Sequence, residues 1–424
     1  MNSLFSRLLL TLALGFMAYP SSGGESPAVV KDWRPYAQRS ALMPQMEMDE
    51  AGILISSASG GFSCNGAWRK TFPIKENQSY RFSVQFQSKD VSLPRRSILA
   101  QIDWKDKNGK RVGQPDYPPN IGADAEGWMT IAGVFSPSPG AELAVVDLIF
   151  RWDAQGKVRW KNPAFAESAP LAPRKVVLAT VNYRPRNSKG SQENREAYRR
   201  FLRQAGEKGA DIVCLPEGIT IVGTPLSIID AAETIPGPST KFLGETAKEF
   251  SMYIVAGIYE QTGEIVYNTS VLIDRQGQLA GTYRKTSLPR EEIEDGVTPG
   301  GEFPVFQTDF GKIGMMICWD VFFPEPARAL ASQGAEIILL PIWGGNEDLI
   351  KSRAIENQIY LITSSFDART GIWNRRGEMA AEAKENGSVA LYEADLNEQT
   401  LWEWLGDYRA RIPRESPVVK GEIK

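Results

Sequence analysis

At Ala169-Pro170-Leu171-Ala172-Pro173 the hydrophobic rhythm of this chain changes, and that change limits what it can fold into more than any other feature. Before it, apolar residues alternate with polar ones. After it, short continuous apolar runs alternate with helical spacing. A period of two sets side chains on opposite faces of a strand, while a period near 3.6 sets them on one stripe of a helix. The two halves therefore need separate architectures, joined by a proline-rich linker. The length of 424 residues is likewise too great for one ordinary core. The expected organisation is an export signal at 1–24, an all-β module at 25–168, a linker at 169–173 and an α/β domain at 174–424.

In the first half, Tyr80, Phe82, Val84 and Phe86 alternate with Arg81, Ser83, Gln85 and Gln87, the pattern of a half-buried strand. Ile98, Ala100, Ile102 and Trp104 repeat it before the turn signal Lys107-Asn108-Gly109-Lys110. Trp128 to Phe135 and Ala144 to Phe150 are further strand candidates, separated by the loop Ser136-Pro137-Ser138-Pro139-Gly140. Short strands without helical spacing predict a sandwich. This rhythm, with Gly127-Trp128 and Val158-Arg159-Trp160-Lys161-Asn162-Pro163, resembles the jelly-roll, galactose-binding-like modules that accompany carbohydrate-active enzymes. The resemblance implies a glycan partner. Trp68, Trp104, Trp128, Trp152 and Trp160 are the candidates for stacking on sugar rings, with core packing as the alternative role. A module that only covers the second domain or builds an oligomer interface is the alternative for the whole half. Cys64 reads as a small buried residue.

Composition narrows the chemistry. Histidine is absent, which excludes Ser-His-Asp and Cys-His hydrolases and His-based zinc sites. Acid–base work near neutral pH falls to Glu, Asp, Lys, Cys or Tyr with a shifted pKa. The net charge of −3 provides no large basic field, so nucleic acid and anionic membranes are not expected partners. Cys64, Cys214 and Cys318 fit no zinc spacing. Arg7, the apolar run Leu8 to Ala18 and the small residues Ser21-Ser22-Gly23-Gly24 read as a secretory signal. The run is too short to span a bilayer, and no transmembrane segment is expected in the mature protein.

The second half opens with Val176 to Val181, a buried-strand run. A helix is predicted over Glu193 to Lys208, with Ala197, Phe201 and Ala205 on one face and Gly209 as terminator. Asp211 to Leu215 is the next strand, giving a βαβ unit. Three segments stand out. Gly209-Ala210-Asp211-Ile212-Val213-Cys214-Leu215-Pro216-Glu217-Gly218 presents Glu217 at a strand's carboxyl end, where ligands of α/β sheets collect. Gly281-Thr282-Tyr283-Arg284-Lys285 ends a strand on Lys285. Phe310-Gly311-Lys312-Ile313-Gly314-Met315-Met316-Ile317-Cys318-Trp319-Asp320 runs an apolar strand into Cys318 just before a turn and a helix. Such an elbow exposes a nucleophile and aims backbone N–H groups at a developing oxyanion.

Glu, Lys and Cys in this order, each at a strand end, resemble the nitrilase superfamily of carbon–nitrogen hydrolases. The resemblance extends over about residues 174 to 415 and includes Thr298-Pro299-Gly300, Gly334-Ala335-Glu336-Ile337-Ile338-Leu339-Leu340-Pro341 and Arg353-Ala354-Ile355-Glu356-Asn357. It implies a four-layer α-β-β-α sandwich, homo-oligomer formation, and no metal or organic cofactor. It also implies that Cys318 is a nucleophile forming a thioester, Glu217 the general base, Lys285 the oxyanion stabiliser and Trp319 the donor of an oxyanion-hole N–H. A second glutamate follows the lysine in this family; Glu292 fits best and Glu291 is the rival. Ser287 stands where many members have His.

Trp319-Asp320 mixes the nitrilase and amidase forms of the motif, and the expected reaction is hydrolysis of a small amide or N-carbamoyl compound ahead of a nitrile. The resemblance places Phe322, Phe323, Trp343 and Asn346 in the pocket wall, with core packing as the alternative for the aromatics. Other functions consistent with the chain are acyl transfer from the same thioester, or an exported glycan-binding protein with an inactive hydrolase fold.

Overall fold

The computed structural model describes residues 32–61, 63–403 and 406–415. The predicted signal run Leu8 to Ala18 lies outside them. Among the described residues no helix is long and apolar enough to cross a membrane. The described residues separate into two compact units, one formed by 32–110 with 118–168, the other by 111–117 with 169–415.

The first unit is sheet-rich. A four-stranded antiparallel sheet runs in the order Arg34–Tyr36, Asn65–Pro73, Leu143–Arg151, Ile98–Lys105. A six-stranded antiparallel sheet orders Gln45–Met48, Leu54–Ser57, Lys157–Ser168, Ser79–Lys89, Met129–Phe135, Asn120–Ala123. Tyr80, Phe82, Val84 and Phe86 are all buried, as period-two alternation requires. Phe72 of the smaller sheet meets Phe165 of the larger, ring centroids 4.9 Å apart. Gly109 closes the predicted turn at φ +78, with its N–H donating to Asp106 O at 2.9 Å. Four of the five stacking candidates, Trp68, Trp104, Trp128 and Trp160, are core residues with at most 6% exposure, which removes their faces from any glycan. Only Trp152 is exposed, at 43%.

The second unit holds two six-stranded sheets. In the first, Lys175–Asn182, Ile212–Cys214 and Tyr253–Thr262 pair in parallel. Ile265–Ile273 and Leu279–Arg284 extend one edge antiparallel, and Ser388–Asp395 the other. In the second, Lys312–Met315, Ile337–Ile342 and Tyr360–Ser365 are parallel, with Val305–Gln307 on one side and Gly371–Trp373 then Met379–Glu382 on the other, all antiparallel.

Alternation decides how these sheets stack. Leu178, Ile212, Cys214 and Val255 of the first sheet share one buried cluster with Met315, Ile338, Leu340 and Ile362 of the second. Ala179, Val181, Val213 and Ile254 point the other way. They pack on Tyr198, Phe201 and Leu202 of helix Ser191–Glu207 and on Phe242, Leu243 and Ala247 of helix Pro238–Phe250. Helices Pro324–Ser332 and Glu347–Asn357 add Ala327, Leu330, Ile350 and Ala354 to the second sheet's core. The result is a helix–sheet–sheet–helix sandwich. Burial on both faces explains the continuous apolar runs in the sequence, each large apolar side chain contributing about 1.5–3 kcal/mol. Thr180 Oγ1 donates to Thr363 O at 2.7 Å and Ser364 Oγ to Val181 O at 2.6 Å, so the facing sheets are also hydrogen-bonded through buried hydroxyls.

Candidate active site

Glu217 follows strand Ile212–Cys214 at its carboxyl end and is 3% exposed. The neighbouring strand runs against it so closely that a Cβ on Gly257 would lie 2.7 Å from Glu217 Cα. Gly257 N donates to Pro216 O at 3.1 Å, and Ile219 N to Gly257 O at 3.0 Å. The carboxylate is saturated with donors. Oε1 accepts from Lys285 Nζ at 2.9 Å and Asn268 Nδ2 at 2.7 Å; Oε2 accepts from the Trp343 backbone N–H at 3.0 Å.

Lys285 stands directly after strand Leu279–Arg284 and is fully buried. Its backbone N–H donates to Asn268 O at 2.8 Å. Its ammonium also meets Glu292 Oε2 at 2.8 Å. Glu292 lies on the short helix Arg290–Glu294 and is buried, whereas Glu291 is exposed, so the geometry selects Glu292 between the two. Glu292 Oε1 accepts from Asn268 Nδ2 at 2.5 Å and Tyr259 OH at 3.2 Å.

Cys318 comes from the second sheet. It opens the 3-10 turn Cys318–Phe322 after strand Lys312–Met315, with φ +42. A side chain held in the left-handed region is strained and persists only where its surroundings enforce it. Asp320 supplies that enforcement. Its Oδ2 accepts from Ile317 N at 3.0 Å and Tyr283 OH at 2.7 Å, and its Oδ1 from Ser287 N at 2.9 Å and Thr286 Oγ1 at 3.0 Å. One buried carboxylate thus ties the Cys318 turn to the loop after Lys285. Ser287 contributes its backbone N–H to this clamp. The first N–H groups of the turn, Trp319 among them, have no intrahelical acceptor by construction.

The electrostatics follow from burial and charge count. Burial pushes the Cys318 thiol well above its ordinary value, and the nearby Glu217 charge adds to this against the pull of Lys285. Burial opposes the Lys285 charge, but the Glu217 and Glu292 charges outweigh it and hold the ammonium protonated. Burial raises Glu292, Lys285 opposes, and Glu217 raises it further. The resting site therefore contains a neutral thiol and a charged lysine between two carboxyl groups. Among the described residues no group of three or more Cys, Asp and Glu side chains is placed to hold a metal ion.

The expected pocket residues divide. Trp319 is 36% exposed and its ring lies 4.4 Å from that of Phe322, centroid to centroid. Phe323 is exposed. Trp343 is half-buried, and its carbonyl is anchored by Phe366 N, Asp367 N and Ser365 Oγ. Gly344 O lies 3.8 Å from Cys318 Sγ. Asn346 is the exposed N-cap of helix Glu347–Asn357, its Oδ1 accepting from Asp348 N and Leu349 N at 2.9 and 3.1 Å. Asn followed by Glu347-Asp348 and an apolar periodicity is a helix-start signal that sequence reading could have used. Asn268, Tyr259 and Asp320 were not expected as parts of the site. The available sign for Asn268 was a polar residue inside the run Ile265–Ile273, since buried amides need partners.

The family described as carbon-nitrogen hydrolase matches residues 178–403. The chain is 30% identical over 268 residues to the omega-amidase NIT2-A of Xenopus laevis, covering 56% of this chain and 93% of that protein. It is 35% identical over 217 residues to a nitrilase of Pyrococcus abyssi, covering 46% and 81% respectively. Among solved structures it is similar to Nit3 of Saccharomyces cerevisiae, a member of branch 10 of the nitrilase superfamily. That match has 26% identity and a TM-score of 0.48, over 54% of this chain and 92% of the other.

Proposed function

This chain belongs to the carbon–nitrogen hydrolase family of the nitrilase superfamily and is an amidase-like enzyme, and from that premise we propose that it hydrolyses a small amide or N-carbamoyl compound through a thioester on Cys318. The observation that carries this reading is the convergence of Glu217, Lys285, Glu292 and the strained Cys318 elbow, with one ammonium 2.9 and 2.8 Å from two buried carboxylates.

The chemistry balances with these groups alone. Cys318 Sγ attacks the amide carbon as its proton passes to Glu217, which avoids a free thiolate in a site that raises the thiol. The carbonyl oxygen takes the electron pair and is met by the Trp319 N–H and the Lys285 ammonium. Collapse breaks the C–N bond, and Glu217 returns the proton to the leaving nitrogen. Water then loses a proton to Glu217 and attacks the thioester, releasing a carboxylic acid and restoring the thiol. When Glu217 is neutral, Glu292 still faces Lys285, so the cation stays charged and oriented throughout the cycle. Relatives named omega-amidase support the amide reading, beside one named nitrilase.

Ammonia release from small amides, N-carbamoyl amino acids and nitriles, measured beside Cys318→Ala, tests the reading. Release by the wild type alone supports it; equal release by both proteins, or none by either with no acyl adduct on Cys318 by mass spectrometry, overturns it. Added hydroxylamine separates hydrolysis from acyl transfer, since a hydroxamate forms only where the thioester meets an outside nucleophile.

For the sheet-rich first unit we propose a jelly-roll-type accessory module, in an exported protein that forms homo-oligomers. Any glycan contact there falls to Trp152, the one exposed member of the five tryptophans. A glycan-binding screen of the full chain with Trp152→Ala as control, and light scattering for the oligomer, check these readings.

A further inference from the structure

We infer that Asn268 is a positioning residue of this site, its side-chain amide holding Glu217 and Glu292 in one closed ring of three hydrogen bonds and an ion pair with Lys285; the inference rests on the hydrolase reading above. Tyr259, Asn268 and Lys285 occupy three neighbouring antiparallel strands or their immediate ends. Tyr259 pairs with Asn268 in register, and Asn268 O accepts from Lys285 N. Their side chains therefore form a row across one end of the first sheet, facing the two carboxylates.

The distances close the ring. Asn268 Nδ2 lies 2.7 Å from Glu217 Oε1 and 2.5 Å from Glu292 Oε1. Lys285 Nζ lies 2.9 Å from Glu217 Oε1 and 2.8 Å from Glu292 Oε2. Each nitrogen thus bridges both carboxylates. Both hydrogens of the Asn268 amide are used, since Nδ2 carries only two.

The orientation of that amide is itself informative. Asn268 is fully buried, and its Oδ1 has no hydrogen-bond partner. An unpaired buried carbonyl is unfavourable. Rotating the amide would bring this oxygen against two carboxylate oxygens, which is worse. The carboxylates, not the rest of the core, dictate how Asn268 stands.

A neutral donor suits this place. Two like charges in a buried site push one of them toward protonation, and Lys285 is the one cation bonded to both. A second cation would compete with the thiol proton for the same carboxylate oxygens. An amide supplies two N–H groups and fixes the geometry without adding charge.

The test uses the full chain, with iodoacetamide as the probe of Cys318 reactivity, mapped by peptide mass across about pH 4 to 9. Wild-type labelling at Cys318 should fall along an acid limb as the site's carboxylates protonate. In Asn268→Ala that limb should move up by about one pH unit, with a slower plateau. An unchanged limb, with or without a slower plateau, overturns the positioning role. Should Asn268→Ala fail to fold, the isosteric Asn268→Asp replaces it: a carboxyl there donates only when protonated, so reactivity should be lost on the alkaline side, and a wild-type profile overturns the inference. A wild type unlabelled at Cys318 removes the hydrolase premise and the inference together, which distinguishes the two failures.

Discussion

Gly257→Ala probes how tightly the site is built. The new Cβ would lie 2.7 Å from Glu217 Cα and 3.2 Å from Pro216 O, where ordinary contact begins at 3.4 Å. Both neighbours are backbone, and Pro216 O is pinned by Gly257 N at 3.1 Å, so no flexible side chain can absorb the clash. The strand carrying Glu217 must retreat by about 0.7 Å, the difference between 3.4 and 2.7 Å. Glu217 would then leave Lys285, Asn268 and Trp343 N, whose hydrogen bonds are 2.7 to 3.0 Å long. A displacement near 1 Å at a reacting group costs about a hundredfold in rate, equivalent to about 2.7 kcal/mol of transition-state stabilisation. Overpacking should also lower stability by about 1–3 kcal/mol. The assay is kcat/KM for amide hydrolysis, with a urea melt on the same sample. Turnover within threefold of wild type would refute the claim that the close approach at Gly257 sets the position of Glu217.

Lys285→Met leaves two buried carboxylates without their cation and should abolish turnover while lowering unfolding free energy by about 3–5 kcal/mol; an unchanged denaturation midpoint would count against the pairing. Because burial, then the Glu217 charge, raises Glu292 against the pull of Lys285, turnover should fall on the acid side above about pH 4.3, the value of a free glutamate, and a limb at or below that value would contradict it. A raised carboxyl favours the fold below its unfolded pKa, and that contribution is lost as pH rises through the folded value. Glu292→Gln should therefore melt above wild type at neutral pH while losing most activity, and a lower melting point would show the sign to be wrong. Asp320→Ala strands the buried N–H of Ile317 at about 1–3 kcal/mol and frees the half-buried N–H of Ser287. Both melting and Cys318 labelling should suffer, and a stable, reactive variant would refute the clamp.

The placement of Glu217, Lys285 and Cys318 at or just past strand ends was legible in the chain because each closes a local pattern, an apolar run ending at a proline, a strand end, and an elbow before a helix; the roles proposed for them came from the family resemblance. The alternation of Tyr80 to Phe86 and the helix over residues 191–207 were legible for the same reason, since period and capping are properties of neighbours in sequence. Other features depend on partners far along the chain. Asn268 reaches Glu217 across 51 residues, and Trp343 N reaches it across 126; no local pattern encodes such a contact. The same holds for the choice of Glu292 over Glu291, where a single residue's rotation on a short helix decides which carboxyl is buried. It holds too for the tryptophans of the first unit, where four face the core and Trp152 does not. The sequence by itself determined the two grammars, the strand ends and the reactive residue types, because those follow from periodicity and turn chemistry. Only the tertiary structure decided which groups share a charge, which amide stands between two carboxylates and that Cys318 is held at positive φ, because those depend on distances between elements that only packing brings together.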